Sequence, residues 1–185
     1  MDISKNVFIF ASEFIRVMTY SEAQAYIGSP KKVIDDQGEK LEQLKLSVAS
    51  RSKFRVSFED EHSNTYVLDV NHSPKVGVKM SFNLRRDGNE GLARLDYNGT
   101  HTNPSPYSKE VPPIFEPYEG KVFNAESHLH LYVENYGLDW ALPIEVTAID
   151  PKTIDETNPD QGFKDAFVGF CKYLNVGTKI EIEIK

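Results

Sequence analysis

The chain has 185 residues, 39% hydrophobic, 11% aromatic and 26% charged, which excludes a disordered or fibrous protein and predicts one globular domain over residues 1–185. Its 28 acidic against 21 basic residues leave a formal net charge of -7, which excludes binding nucleic acid by the whole surface. Any RNA contact needs a local basic patch, whereas an acidic surface suits docking on a basic partner.

In chain order, residues 6–27 sit between helix and strand, with Val7, Phe10, Phe14, Val17 and Met18 near helical spacing. Apolar runs such as residues 7–11 are too short to span a bilayer. No basic leader opens the chain, and the single cysteine, Cys171, has no internal disulfide partner. A cytoplasmic protein is predicted. Thr19 and Glu22 form a capping box for a short helix that Gly28 and Pro30 stop. Residues 36–46 carry a sparse stripe (Leu41, Leu44, Leu46) and read as a surface helix or a loop entering a strand.

The period then changes to two. Phe54, Val56 and Phe58 alternate with polar residues, residues 65–70 return after a turn, and Val76, Val78, Met80, Phe82 and Leu84 form a third run. Residues 92–97 are a fourth strand. Residues 98–124 hold Pro104, Pro106, Pro112, Pro113 and Pro117, half of the 10 prolines, and read as a long loop. Residues 128–133 and 138–143 read as a paired strand and partner around Asn135-Tyr136-Gly137, with Trp140 in the core. Phe163, Phe167, Phe170, Cys171 and Leu174 fall at helical spacing, which puts Cys171 in the core. Residues 178–185 alternate again. The fold class predicted is α+β: an antiparallel sheet of about six strands packed against N- and C-terminal helices.

Because side chains alternate along a strand, His128, His130 and Tyr132 share the face opposite Leu129, Leu131 and Val133. Arg94 and Asp96 oppose Ala93, Leu95 and Tyr97, and Lys79, Ser81, Asn83 and Arg85 oppose the apolar set of the preceding strand. If the apolar sets share one core, the polar sets share one exposed face, with His101 at the mouth of the proline-rich loop. Paired histidines beside Arg and Lys suit metal-free cleavage of RNA. One neutral imidazole takes the ribose 2′-hydroxyl proton, and an imidazolium protonates the leaving oxygen. Arg94 would steady the phosphorane charge. The catalytic set predicted is His128, His130, His101, Arg94 and Tyr132, with Lys79 and Arg85 contacting RNA and no cofactor. The same face admits a metal instead, held by His101, His128, His130 and Asp96. It also admits a solvated strand surface without chemistry.

Four strings run in order: Leu92-Ala93-Arg94-Leu95-Asp96-Tyr97-Asn98-Gly99, His101-Thr102-Asn103-Pro104, His128-Leu129-His130-Leu131-Tyr132 and Trp140-Ala141-Leu142-Pro143. The series resembles that of an uncharacterised bacterial and prophage family, RLD-x-x-G, H-x-NP, H-x-H-x-Y and WA-x-P. Phe167-Val168-Gly169-Phe170-Cys171 resembles its closing helix. The resemblance implies a mobile-element protein, either a toxin that cuts RNA or a counter-defence factor of anti-CRISPR type that trims a guide RNA. Two rivals stand beside the ribonuclease reading. One is a non-catalytic acidic inhibitor docked on a basic Cas effector; the other is a metal-dependent hydrolase with an HxH site.

Overall fold

The computed structural model describes residues 17–49, 52–72, 79–149 and 157–185. The expectations for residues 6–16, for 76–78 and for most of the polar stretch before the last helix lie outside them.

Helix α1 spans Tyr20–Gly28, and Thr19 and Glu22 form the predicted capping box reciprocally. The Thr19 hydroxyl accepts from the Glu22 N–H, and the Glu22 carboxylate accepts from the Thr19 N–H. Strands β1 (Lys31–Ile34) and β2 (Lys40–Leu41) follow, then β3 (Gln43–Val48), β4 (Lys53–Asp60), β5 (Thr65–His72) and β6 (Met80–Arg86). Strand β7 runs over Glu90–Thr102, β8 over Val122–Val133 and β9 over Gly137–Pro143. Helix α2 (Pro159–Tyr173) and β10 (Lys179–Ile184) complete the chain.

The main sheet has eight strands in the order β2-β1-β4-β5-β6-β7-β8-β9, two more than the pattern predicts. The additions are β1 and β2, a hairpin too short and too lysine-rich to show alternation. Local turn chemistry closes it: the Asp35 carboxylate accepts from the N–H groups of Gln37 and Glu39, and Gly38 takes φ +82. Of the two readings of residues 36–46, the structure has the loop entering a strand: residues 35–39 turn, and residues 43–48 form β3, which pairs in parallel with β10 from the far end of the chain. A parallel partner so distant leaves no local signature.

One face of the main sheet carries the core. Phe163, Phe167 and Phe170 of α2 pack around Phe82 in tilted and edge-on contacts, with ring centroids 6.1, 6.0 and 5.9 Å away. Trp140 and Cys171 are buried, as the spacing predicts. Burial of this size stabilises by roughly 1.5–3 kcal/mol per large side chain. A buried lysine ties the two helix ends together: Lys31 Nζ donates to the carbonyls of Ile27, Ser29 and Leu174 at 2.9, 2.7 and 3.2 Å. No helix among the described residues is long and apolar enough to cross a membrane.

The proline-rich loop is also corrected. Strand β7 continues to Thr102 and β8 begins at Val122, so the two strands form a long ribbon. The connection between them contains a 3-10 helix, Pro113–Tyr118, whose Phe115 is buried against Trp140.

Candidate metal centre

The register brings the predicted polar residues together on the face away from the core. Arg94 lies opposite His130 and Asp96 opposite His128 across β7 and β8, while Ser81 and Asn83 of β6 flank Asp96 and Arg94. Period-two alternation therefore locates the cluster.

It does not foretell its burial. His128 and His130 were expected at an exposed face; both are 0% exposed. They are buried on the side opposite Leu129, Leu131 and Val133, under the ribbon's own far end. Seven residues of straight strand would hold His101 about 23 Å from Arg94. Yet the His101 ring lies 4.5 Å from that of His130, the residue paired with Arg94. The ribbon bends at register shifts around Gly99, with Asn98 at φ +50 and Ala125 at φ +55. Gly99 is obligatory at the bend, because a Cβ there would sit 2.8 Å from His128 Cε1 and 2.9 Å from Asp96 Cβ. Two stitches to the edge strand β9 hold the fold-over: His101 Nε2 donates to the Asp139 carbonyl, and the Asn103 amide pairs with the backbone of Ala141. Phe123 stacks on His128 at 4.5 Å and completes the cover.

The backbone fixes the imidazole tautomers. His128 Nδ1 lies 2.8 Å from the Glu126 carbonyl and His130 Nδ1 2.8 Å from the Leu138 carbonyl. A carbonyl only accepts, so both Nδ1 atoms carry hydrogen and each neutral ring presents an Nε2 lone pair. The His130 lone pair accepts from Arg94 Nη2 at 2.9 Å, and both Nε2 atoms lie near Asp96. Its Oδ2 is 3.7 Å from His128 Nε2 and 3.4 Å from His130 Nε2, and the three donor atoms lie within 4.8 Å of one another. Around a tetrahedral ion with bonds of about 2.0–2.1 Å, donor atoms sit about 3.3 Å apart. The carbonyls on Nδ1 act as the outer supports that orient metal-binding histidines. His128 Nε2 is buried without a hydrogen-bond partner.

The electrostatics fit a cation site. Burial holds the His128 imidazole down to about 4, and burial also lowers that of His101. Burial of the Asp96 carboxyl opposes its charge, but His130, Ser81 and Arg94 outweigh this and hold it well below the usual carboxylate range. The centre is thus one carboxylate and two ring nitrogens, with the Arg94 guanidinium donating to Asp96 Oδ2 and His130 Nε2.

The remaining predicted residues part company. His101 stacks on the cluster, but neither of its ring nitrogens joins the donor atoms of Asp96, His128 and His130 that lie within 4.8 Å of one another, so it covers the site rather than completing the ligand set. Tyr132 lies two residues beyond His130, where the charges that act on its hydroxyl are those of Glu90, Glu134 and Glu22. Arg85 is paired with Asp69 at 2.7 Å. Lys79 lines a cleft of about 320 Å³ with Asn71, Ser81, Asp96, Gly99 and Thr100, which gives Asp96 an opening to solvent. The sequence reading missed Gly99, Asn103 and Phe123 as parts of the site. Only the two-residue spacing of His101 and Asn103, which puts both on one side of a strand, could have marked the stitches.

No curated protein and no solved structure matches the chain. A family model described as a family of unknown function (DUF6978) matches residues 18–176. The fold and the buried His-x-His cluster are therefore those of a member of this family, to which the chain belongs.

Proposed function

We propose that Asp96, His128 and His130 hold a divalent transition-metal ion, zinc or manganese by donor type, and that the protein is a metal-dependent hydrolase. One observation carries this: the fully buried, unpartnered Nε2 of His128 aims its lone pair at the Asp96 carboxylate. The Arg94 guanidinium already offsets the repulsion between Asp96 Oδ2 and His130 Nε2, and a cation beside His128 Nε2 would do the same for its buried lone pair. A bound ion would lower the pKa of a coordinated water and polarise a substrate oxygen. The protein's own part is to fix the ligands through the Glu126 and Leu138 carbonyls, to exclude bulk water with the folded ribbon, and to admit substrate through the cleft.

Lys79 beside the Ser81 and Thr100 hydroxyls suits an anionic phosphodiester, so RNA remains the substrate class proposed. A mobile-element role, as toxin or counter-defence factor, rests on the motif resemblance alone. The metal-free ribonuclease reading needs an imidazolium at neutral pH, and the burial of His128 works against one. The decisive assay offers RNA to the protein with and without chelator. Cleavage should stop with chelator and return with zinc or manganese. Cleavage that persists in excess chelator contradicts the metal reading and favours the acid–base pair.

A further inference from the structure

Two of the three ligand atoms already serve a cation. Arg94 Nε donates to Asp96 Oδ2 at 3.0 Å, and Arg94 Nη2 donates to His130 Nε2 at 2.9 Å. A lone pair filled by a guanidinium N–H is not open to a metal ion. Guanidinium does not lose its proton under any condition the fold would survive. It can leave the ligands only by moving. Its side chain is 36% exposed, against 0% for both histidines, so it has solvent to move into. It stands two residues along β7 from Asp96, which forms part of the cleft wall together with Lys79.

We propose that Arg94 is a built-in competitor for the metal site. It occupies Asp96 and His130 until a divalent ion displaces it. Its freed guanidinium then stands at the cleft beside Lys79 as a second anion-binding group for a phosphate ester. This inference rests on the metal reading above and adds two things to it: an internal cation that sets the metal affinity, and a fork suited to two phosphate oxygens. Displacement couples the two ligands. A metal frees the anion binder, and a bound anion that holds Arg94 away from Asp96 tightens the metal site.

The test is a zinc titration by calorimetry of the wild-type chain and of Arg94→Gln, followed by titration of each zinc-loaded form with inorganic phosphate. Arg94→Gln should bind zinc more tightly, within the roughly 5- to 150-fold span typical of coupled sites, and its zinc-loaded form should bind phosphate more weakly than the wild type. Equal or weaker zinc binding by Arg94→Gln overturns the competitor role, and undiminished phosphate binding overturns the anion role. If neither form binds zinc, the metal reading itself fails and takes the inference with it. A wild-type measurement keeps the test independent of how the variant folds. The Arg94 Nε–H resonance should be shielded from exchange without metal and lose that shielding when zinc is added. A resonance that zinc leaves unchanged overturns the proposal.

Discussion

The Asn103 side chain and the Ala141 backbone satisfy one another completely. Asn103 Nδ2 donates to the Ala141 carbonyl at 2.9 Å, and the Ala141 N–H donates to Asn103 Oδ1 at 2.9 Å. Ala141 lies on β9, the outermost strand of the main sheet. The amide therefore stands in for the next strand at an otherwise open edge, while a further bond from Nδ2 to the Tyr118 carbonyl anchors the connection between β7 and β8. Together with the bond from His101 to Asp139, this clasp keeps the ribbon over His128 and His130.

Asn103→Ala removes three hydrogen bonds and leaves buried backbone groups of Ala141 unpaired. It should cost about 3 kcal/mol in denaturant unfolding. The amides of residues 99–102 should exchange faster by a larger factor than those of β5. Equal acceleration in both places would show that Asn103 supports the fold generally rather than the cover.

Gly99→Ala puts a methyl group where His128 Cε1 and the Asp96 Cβ already stand. Neither neighbour is the free end of a flexible chain, so the ribbon must shift. The expected loss is about 1–3 kcal/mol, with metal affinity falling further than stability because two ligands are displaced at once. Unchanged metal affinity in a folded Gly99→Ala protein would place the metal elsewhere.

Acid should destabilise the sheet through Asp60. Burial would raise its pKa, but hydrogen bonds from the Asn64 and Tyr66 side chains and from the N–H groups of Asn64 and His62 hold it at about 2, against 3.8 when free. The unfolded chain thus takes up this proton at higher pH than the folded one. The stabilisation is fully present above pH 4 and is lost as the pH falls towards 2, by about 2 kcal/mol. Urea midpoints measured between pH 5 and pH 2 should fall less steeply for Asp60→Asn. Some slope should remain, since the Asp96 carboxyl is also held low. Identical slopes would show that Asp60 does not carry the acid sensitivity.

What the sequence made legible was whatever a period of two can carry. Alternation in β6, β7 and β8 put Arg94, Asp96, His128 and His130 on one face, and the register aligned them. The capping box of α1 and the phenylalanine stripe of α2 are local signals of the same kind. Alternation says nothing about what lies above a face. The cover depends on a bend of a few residues, at Asn98, Gly99 and Ala125, and on side-chain bonds from Asn103 to a strand nearly forty positions away. The pairing of β3 with β10 was hidden for the same reason. The five prolines in residues 98–124 read as loop because proline breaks pairing, yet all of them fall between β7 and β8 and leave the ribbon strands intact.

Whether Asp96, His128 and His130 form one metal centre is read by X-ray absorption at the zinc edge, on protein loaded with one equivalent of zinc. The expected spectrum has two imidazole nitrogens and at least one oxygen at about 2.0–2.2 Å, and it loses its imidazole signature in His128→Ala with His130→Ala. Zinc bound equally by that double variant, or no stoichiometric zinc on the wild-type chain, would contradict that centre.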